Sequence, residues 1–122
     1  MVVIKVKNLM DENAVNPWDV IVDQRSILGN PFEDYQIISR DAAYEAYKSY
    51  FYRRIISDDM AFLDEVRLLS NIFLKYEKLN LFCWCAHEKC HAYIIKEYLK
   101  KTINEKIKYL EKLSSVGRIK LL

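Results

Sequence analysis

The order of apolar and polar residues along the chain predicts three short strands. Residues 2–9 alternate, with Ile4 and Val6 on one side and lysines on the other, which is typical of a half-exposed edge strand. Residues 19–23 hold a β-branched run that suits a buried strand. The period of two returns at residues 79–84, which form the third predicted strand.

Apolar residues that recur at three- and four-residue steps predict three helices around these strands. Their expected limits are Ser39 or Asp41 to Ser57, Asp58 or Asp59 to Lys78, and Cys90 or His91 to Leu113. At 1.5 Å per residue the last helix would be roughly 35 Å long, which exceeds the ~30 Å breadth of a small domain. We expect its end to project, or to pack on a partner protein or on a second copy of the chain.

The alternation of strands and helices predicts an α/β fold. The intervening helices are long enough to cross over between parallel strands, so we expect a small three- to four-stranded, mostly parallel sheet flanked by three helices. A length of 122 residues predicts a single domain over 1–122. Residues 114–122 are expected to form a basic tail or a further edge strand.

Composition narrows the classes of protein that this chain can belong to. With 52% hydrophobic residues, 2 Gly and 2 Pro, it is neither collagen-like nor disordered. A net charge of +2 gives no field for nucleic acid, which is therefore not an expected partner. The first residues do not resemble a secretion signal, and no apolar run reaches the ~18 residues of a membrane span. We therefore expect a protein without membrane contact in the cytoplasm.

Two unusual loops are expected to face each other. If the strands at 19–23 and 79–83 are parallel neighbours, their carboxyl ends share one edge of the sheet, where ligands of open α/β sheets bind. The loop Arg25–Phe32 and the loop Cys83–His91 follow these ends. The sequence therefore predicts a crevice between them.

The first loop has residues that suit an anionic ligand. Arg25 offers a permanently charged fork for phosphate or carboxylate. Ser26 and Asn30 add hydrogen-bonding groups, and Gly29 permits close backbone approach and a positive φ. The alternative is a tight turn in which Arg25 pairs with Asp23 or Glu33.

The second loop holds all three cysteines, and three hypotheses compete for them. Cys83, Cys85, Cys90 and His91 could bind zinc, although their spacing is unusual for such a site. Cys90, at the expected start of a helix, could act as a catalytic nucleophile or acid with His91 as its base. In the third hypothesis the cysteines are simply buried, small apolar residues.

Three motifs in this order resemble the domain-of-unknown-function 4326 family, which comprises small proteins of phages and bacteria. The motifs are Arg25-Ser26 with Gly29-Asn30-Pro31-Phe32, Ser39 through Tyr47, and Cys83-Trp84-Cys85 with Cys90-His91. Ala92-Tyr93 stands where the family often has Gly-Asp. The resemblance covers residues 19–95 and implies that the two loops work together, but the family has no established activity to carry over.

Three functions are consistent with these residues. The first is a crevice that binds, and processes if it is enzymatic, a phosphorylated nucleotide-like small molecule, with Trp84 stacked on its base. The second is a non-catalytic phage accessory protein that binds or sequesters a host molecule or protein through its tyrosines and long basic helix. The third is a domain clipped by structural zinc. A phage-encoded chain would work in the cytoplasm of its host.

Overall fold

A computed structural model describes residues 2–32, 39–84 and 90–115. In chain order the elements are β1 (Lys5–Asn8), β2 (Asp19–Ile21), α1 (Arg40–Ile56), α2 (Met60–Tyr76), β3 (Asn80–Cys83) and α3 (Ala92–Ser115). The predicted α/β class, with a parallel sheet, three helices and a long last helix, is confirmed.

The sheet has three strands in the order β1-β3-β2, and both neighbouring pairs are parallel. Leu81 is the register partner of Val6 on one side and of Val20 on the other. The central strand β3 is the most apolar, with Leu81, Phe82 and Cys83 all buried. A fourth strand near the carboxyl terminus would lie in residues 116–122, outside the described residues.

Side-chain caps fix where the first two helices begin. The hydroxyl of Ser39, one of the two predicted caps, accepts a hydrogen bond from the Ala42 amide at 3.2 Å. Asp59 accepts from the Phe62 amide at 3.1 Å in the same way. At its other end α2 stops at Glu77, which takes a left-handed conformation with φ of 57°. The predicted limits of these helices are therefore correct to within about two residues.

The core lies between the sheet and the helices and is largely aromatic on one side. Tyr47 and Phe51 of α1 and Phe62 of α2 are fully buried, as the helical spacing predicts. Tyr47 and Phe51 have ring centroids 6.0 Å apart, and Phe51 and Phe62 5.4 Å. These packed rings hold α1 and α2 together, and α1 carries Tyr47 to the loop that begins at Arg25.

The two halves of α3 differ in burial. Ile95, Leu99 and Ile103 are buried, whereas Ile107 is only half-buried and Tyr109 is 61% exposed. The second half of the helix therefore packs little against the rest of the described chain, as its length predicts. Over the residues with described structure, no helix is both long and apolar enough to cross a bilayer.

Candidate functional site

A cleft of about 300 Å³ lies at the carboxyl edge of β2 and β3. The backbone of β2 continues to a hydrogen bond from the Val22 amide to the Phe82 carbonyl, at 2.8 Å, and the chain then leaves the sheet. Six residues line the cleft: Asp23 and Gln24, which follow β2, and Arg25, Cys83, Trp84 and His91 from the two predicted loops. The crevice between the loops is thus present where the parallel strand ends require it.

The carboxylate of Asp23 organises one wall of the cleft. It accepts hydrogen bonds from the Arg25 backbone amide at 2.9 Å, from Arg25 Nε at 3.0 Å and from Arg25 Nη2 at 2.7 Å. It also accepts from the indole nitrogen of Trp84 at 3.0 Å. These bonds, first of all those from Arg25, hold the pKa of Asp23 below its ordinary value, although burial opposes them.

Arg25 keeps donors for a ligand in spite of this ion pair. Pairing with Asp23, the alternative predicted from the sequence, is present, yet the Arg25 side chain is 65% exposed. A guanidinium has five N–H groups. Asp23 engages the Nε group and the Nη2 atom, so Nη1 and the outer edge of the fork point away from that bond. The ion pair therefore fixes the orientation of the guanidinium and leaves some of its N–H donors available to a ligand.

Trp84 is the exposed aromatic residue of the cleft. It follows β3 directly and is 56% exposed. Its indole N–H is bound to Asp23, so the edge of the ring is held while much of its surface is open to solvent. Such a ring can stack on a planar ligand.

Ser26, Gly29 and Asn30 shape the first loop and are not among the residues that line this cleft. The Ser26 hydroxyl accepts from the Leu28 amide at 3.0 Å, and Asn30 Oδ1 accepts from the Phe32 amide at 2.9 Å. All three line a second depression, with a volume of about 430 Å³, which shares Gln24 with the cleft. Their predicted contact with the ligand of the Arg25 cleft remains a prediction.

Position 29 requires glycine because the surrounding backbone leaves no room for a side chain. A Cβ there would lie 2.4 Å from the Asp23 carbonyl oxygen and 2.8 Å from the Gln24 Cα. The positive φ that glycine permits is not used, because the φ of Gly29 lies outside the left-handed range. Close approach of the chain to itself, just beneath Asp23, is the reason for glycine at this position.

Tyr47 joins the loop to the floor of the cleft, a role that the spacing of α1 does not predict. Its hydroxyl donates to the Leu28 carbonyl at 2.7 Å, and its ring centroid lies 5.0 Å from that of His91. The sequence indicates only that Tyr47 belongs to the buried face of α1. The one further signal is its place in the Ser39–Tyr47 motif.

Cys83, Cys90 and His91 form the buried floor of the cleft. Each is at most 1% exposed, and the Sγ atoms of Cys83 and Cys90 are 2.7 Å apart. His91 Nε2 lies 2.6 Å from the Val22 carbonyl oxygen, and Nδ1 lies 3.9 Å from Cys90 Sγ. Because a carbonyl oxygen only accepts, Nε2 is the donor of this bond and carries a proton.

The structure thus gives the predicted catalytic and metal-binding residues different positions. His91 and Cys83 line the cleft, whereas Cys90 is fully buried behind them, before the first residue of α3. Cys85 lies outside the described residues. Among the residues that are described, no three His, Cys, Asp or Glu side chains stand together as a metal site. The catalytic roles of Cys90 and His91 stay predictions.

The fold and the cleft define a class of small α/β protein. At the carboxyl edge of its sheet this protein has an ion pair and an exposed indole, and buried thiol and imidazole groups form the floor of the cleft. The sequence model described as "Domain of unknown function (DUF4326)" matches residues 6–101. The chain belongs to this family, as its three motifs predict. No solved structure matches the chain.

Part of the chain is also similar to a larger enzyme. It is 43% identical over 54 residues to the ribosomal protein uS12 methylthiotransferase RimO of Helicobacter pylori strain G27, and equally to that of strain HPAG1. The protein of strain P12 is 41% identical over the same length. Each match covers 44% of this chain but 10% of the curated relative, so the chain spans about a tenth of these proteins.

Proposed function

We propose that the cleft binds a small anionic, nucleotide-like molecule. The observation that carries this proposal is the single carboxylate of Asp23, which holds both Arg25 and Trp84 at the ends of two neighbouring strands. Arg25 supplies the charge for a phosphate group, and Trp84 supplies a surface for a base.

The surroundings of the ion pair support an anionic ligand. In addition to Arg25, the amino end of α3, which follows His91, places the positive end of a helix dipole near the cleft. The Asp23 oxygens already accept bonds from Arg25 and Trp84. Asp23 therefore acts in this proposal as a positioning residue. A volume of about 300 Å³ is at the lower end for small-molecule sites.

Fluorescence of Trp84 tests the proposal. The other tryptophan, Trp18, packs elsewhere, with its ring 5.8 Å from Tyr76 and under Lys78. In a Trp18→Phe background, Trp84 is the sole tryptophan. Titration with nucleoside monophosphates and diphosphates should change its emission, while the parent nucleosides should bind much more weakly.

A matched pair of arginine variants gives the control. Arg25→Gln should weaken nucleotide binding roughly tenfold or more, because the charged hydrogen bonds to phosphate are lost. Arg67→Gln, at an exposed pair on α2, should leave it unchanged. Equal affinity in wild type and Arg25→Gln, or no response to any phosphorylated compound, would refute the proposal.

Processing of the ligand would depend on the floor of the cleft. If Cys90 acts as nucleophile or acid with His91 as base, Cys90→Ser abolishes turnover while nucleotide binding remains. If binding is the whole function, no product forms and the variant binds as wild type does. The proposal includes a cytoplasmic location, where nucleotides are abundant and thiols stay reduced.

A structural zinc clip is a second candidate, favoured by the orientation of His91. A metal-binding histidine commonly donates its other ring N–H to a backbone carbonyl, as His91 Nε2 donates to Val22. Among the described residues these side chains do not stand together as a metal site, so Nδ1 would have to move with Cys83 and Cys90 to bind zinc. Cys85 is the predicted fourth ligand.

A partner-binding accessory protein is a third candidate, favoured by the little-buried second half of α3. Tyr109 is exposed there among lysines and glutamates. If this surface carries the function, Tyr109→Ser combined with Lys108→Glu abolishes capture of a partner while nucleotide binding in the cleft is unaffected. If only Arg25→Gln has an effect, the accessory function is wrong.

A further inference from the structure

The floor of the cleft contains two thiols in direct contact. Cys83 ends β3 and lines the cleft, and Cys90 lies just before α3, completely buried. Their Sγ atoms are 2.7 Å apart. The contact joins the central strand to the helix that carries much of the core, at the point where both meet the cleft.

The separation of the sulfurs is informative about their chemistry. A disulfide bond is ~2.05 Å long, so the two atoms would have to approach by less than one ångström. Two thiolates on a tetrahedral zinc would instead stand about 3.8 Å apart, since Zn–S bonds are ~2.3 Å. The two sulfurs are therefore close enough that a small displacement brings them to bonding distance.

We infer that Cys83 and Cys90 form a redox-active dithiol that reacts with small hydroperoxides entering through the cleft. This property goes beyond ligand binding and does not depend on it. The sulfur of Cys83, the cysteine that lines the cleft, attacks the outer oxygen of the hydroperoxide. The O–O bond breaks, Cys83 becomes a sulfenic acid, and its thiol proton leaves on the alcohol, or on water when the oxidant is hydrogen peroxide.

The neighbouring thiol completes the reaction. The Cys90 sulfur attacks the Cys83 sulfur, an S–S bond forms, and the sulfenic hydroxyl leaves as water with the Cys90 proton. One hydroperoxide is reduced by two electrons, and the two thiols are oxidised to one disulfide. Because the sulfurs are already in contact, formation of the disulfide should be faster than further oxidation of the sulfenic acid on Cys83.

The experiment treats the reduced full-length chain with stoichiometric hydrogen peroxide and follows intact mass and peptide maps. The expected product has lost two hydrogen atoms and links Cys83 to Cys90. Cys85→Ala is the matched control, because it removes the third cysteine of the same loop and should form the same bond at the same rate. Cys90→Ser should stop at a sulfenic acid on Cys83, which dimedone traps.

Three outcomes would overturn the inference. The first is a map that links Cys85 to either of the other cysteines. The second is a native protein that stays unmodified by peroxide until it is denatured. The third is a purified chain that holds one equivalent of zinc protecting both thiols. Nucleotide binding measured with Trp84 is scored separately, so failure here leaves the ligand proposal standing, and the reverse is equally true.

Discussion

The Asp23 carboxylate couples two segments that are far apart in sequence, because Arg25 follows it closely and Trp84 follows the last strand. The sequence alone presents Asp23 only as one of two alternative partners of Arg25. Its contact with Trp84 depends on β2 and β3 being neighbours, which no local pattern encodes. At this site the sequence therefore predicts which residues are unusual, and the tertiary structure decides which of them meet.

Asp23 should make stability depend on acid. Its pKa is lower in the folded chain than the ordinary value of 3.8, so its bonds contribute stability above about pH 3.8, and this contribution is lost as the pH falls through the folded pKa. Asp23→Asn should therefore make the melting temperature less dependent on pH between pH 5 and pH 2. The pKa of Asp19 is also lowered, because burial raises it but the hydrogen bonds from Asn80 and Asn16 outweigh burial. Asp19 should therefore still contribute to the pH dependence of stability in Asp23→Asn. An unchanged slope in Asp23→Asn would contradict this.

Gly29→Ala should destabilise the chain. A methyl group 2.4 Å from the Asp23 carbonyl oxygen forces the backbone apart, and such overpacking costs about 1–3 kcal/mol. Urea unfolding measures the change. The exposed Ser49→Ala serves as control and should alter the free energy of unfolding by less than about 0.5 kcal/mol. An alanine variant as stable as wild type would show that the loop can relax.

At the scale of elements, α1 is tied to the first loop through one buried hydroxyl. Tyr47→Phe leaves the Leu28 carbonyl without its side-chain donor, which should cost about 1–3 kcal/mol. Tyr109→Phe, at an exposed position on α3, should cost almost nothing. Chemical denaturation of both variants checks the difference, and equal stabilities would mean that water replaces the lost donor.

The elements themselves are largely predictable from the sequence, for identifiable reasons. The periods of β3 and α2 and the caps at Ser39 and Asp59 act within a few residues, so they can be interpreted without the fold. The start of α3 differs, because Cys90 belongs to the floor of the cleft and the helix begins only at Ala92. The Cys90 sulfur lies 2.7 Å from that of Cys83, seven residues earlier in the chain, and the helical period does not indicate this contact.

At the scale of the whole molecule, metal content separates the zinc clip from the dithiol. If zinc is held by the predicted ligands Cys83, Cys85, Cys90 and His91, protein purified without chelator should contain one equivalent, and EDTA should lower its melting temperature by many degrees. A metal-free chain whose melting temperature does not change on addition of EDTA would refute the zinc clip. The same sample then reports the thiol state by alkylation.

The strand order also governs when this chain can fold. β1 and β2 do not pair with each other; both pair with β3, which is made last of the three strands. During synthesis on the ribosome, β1 and β2 stay unpaired until α1, α2 and β3 have left the exit tunnel. The sheet therefore assembles in one step through long-range contacts after β3 has left the tunnel, which predicts slow folding and a need for protection of the unpaired early strands.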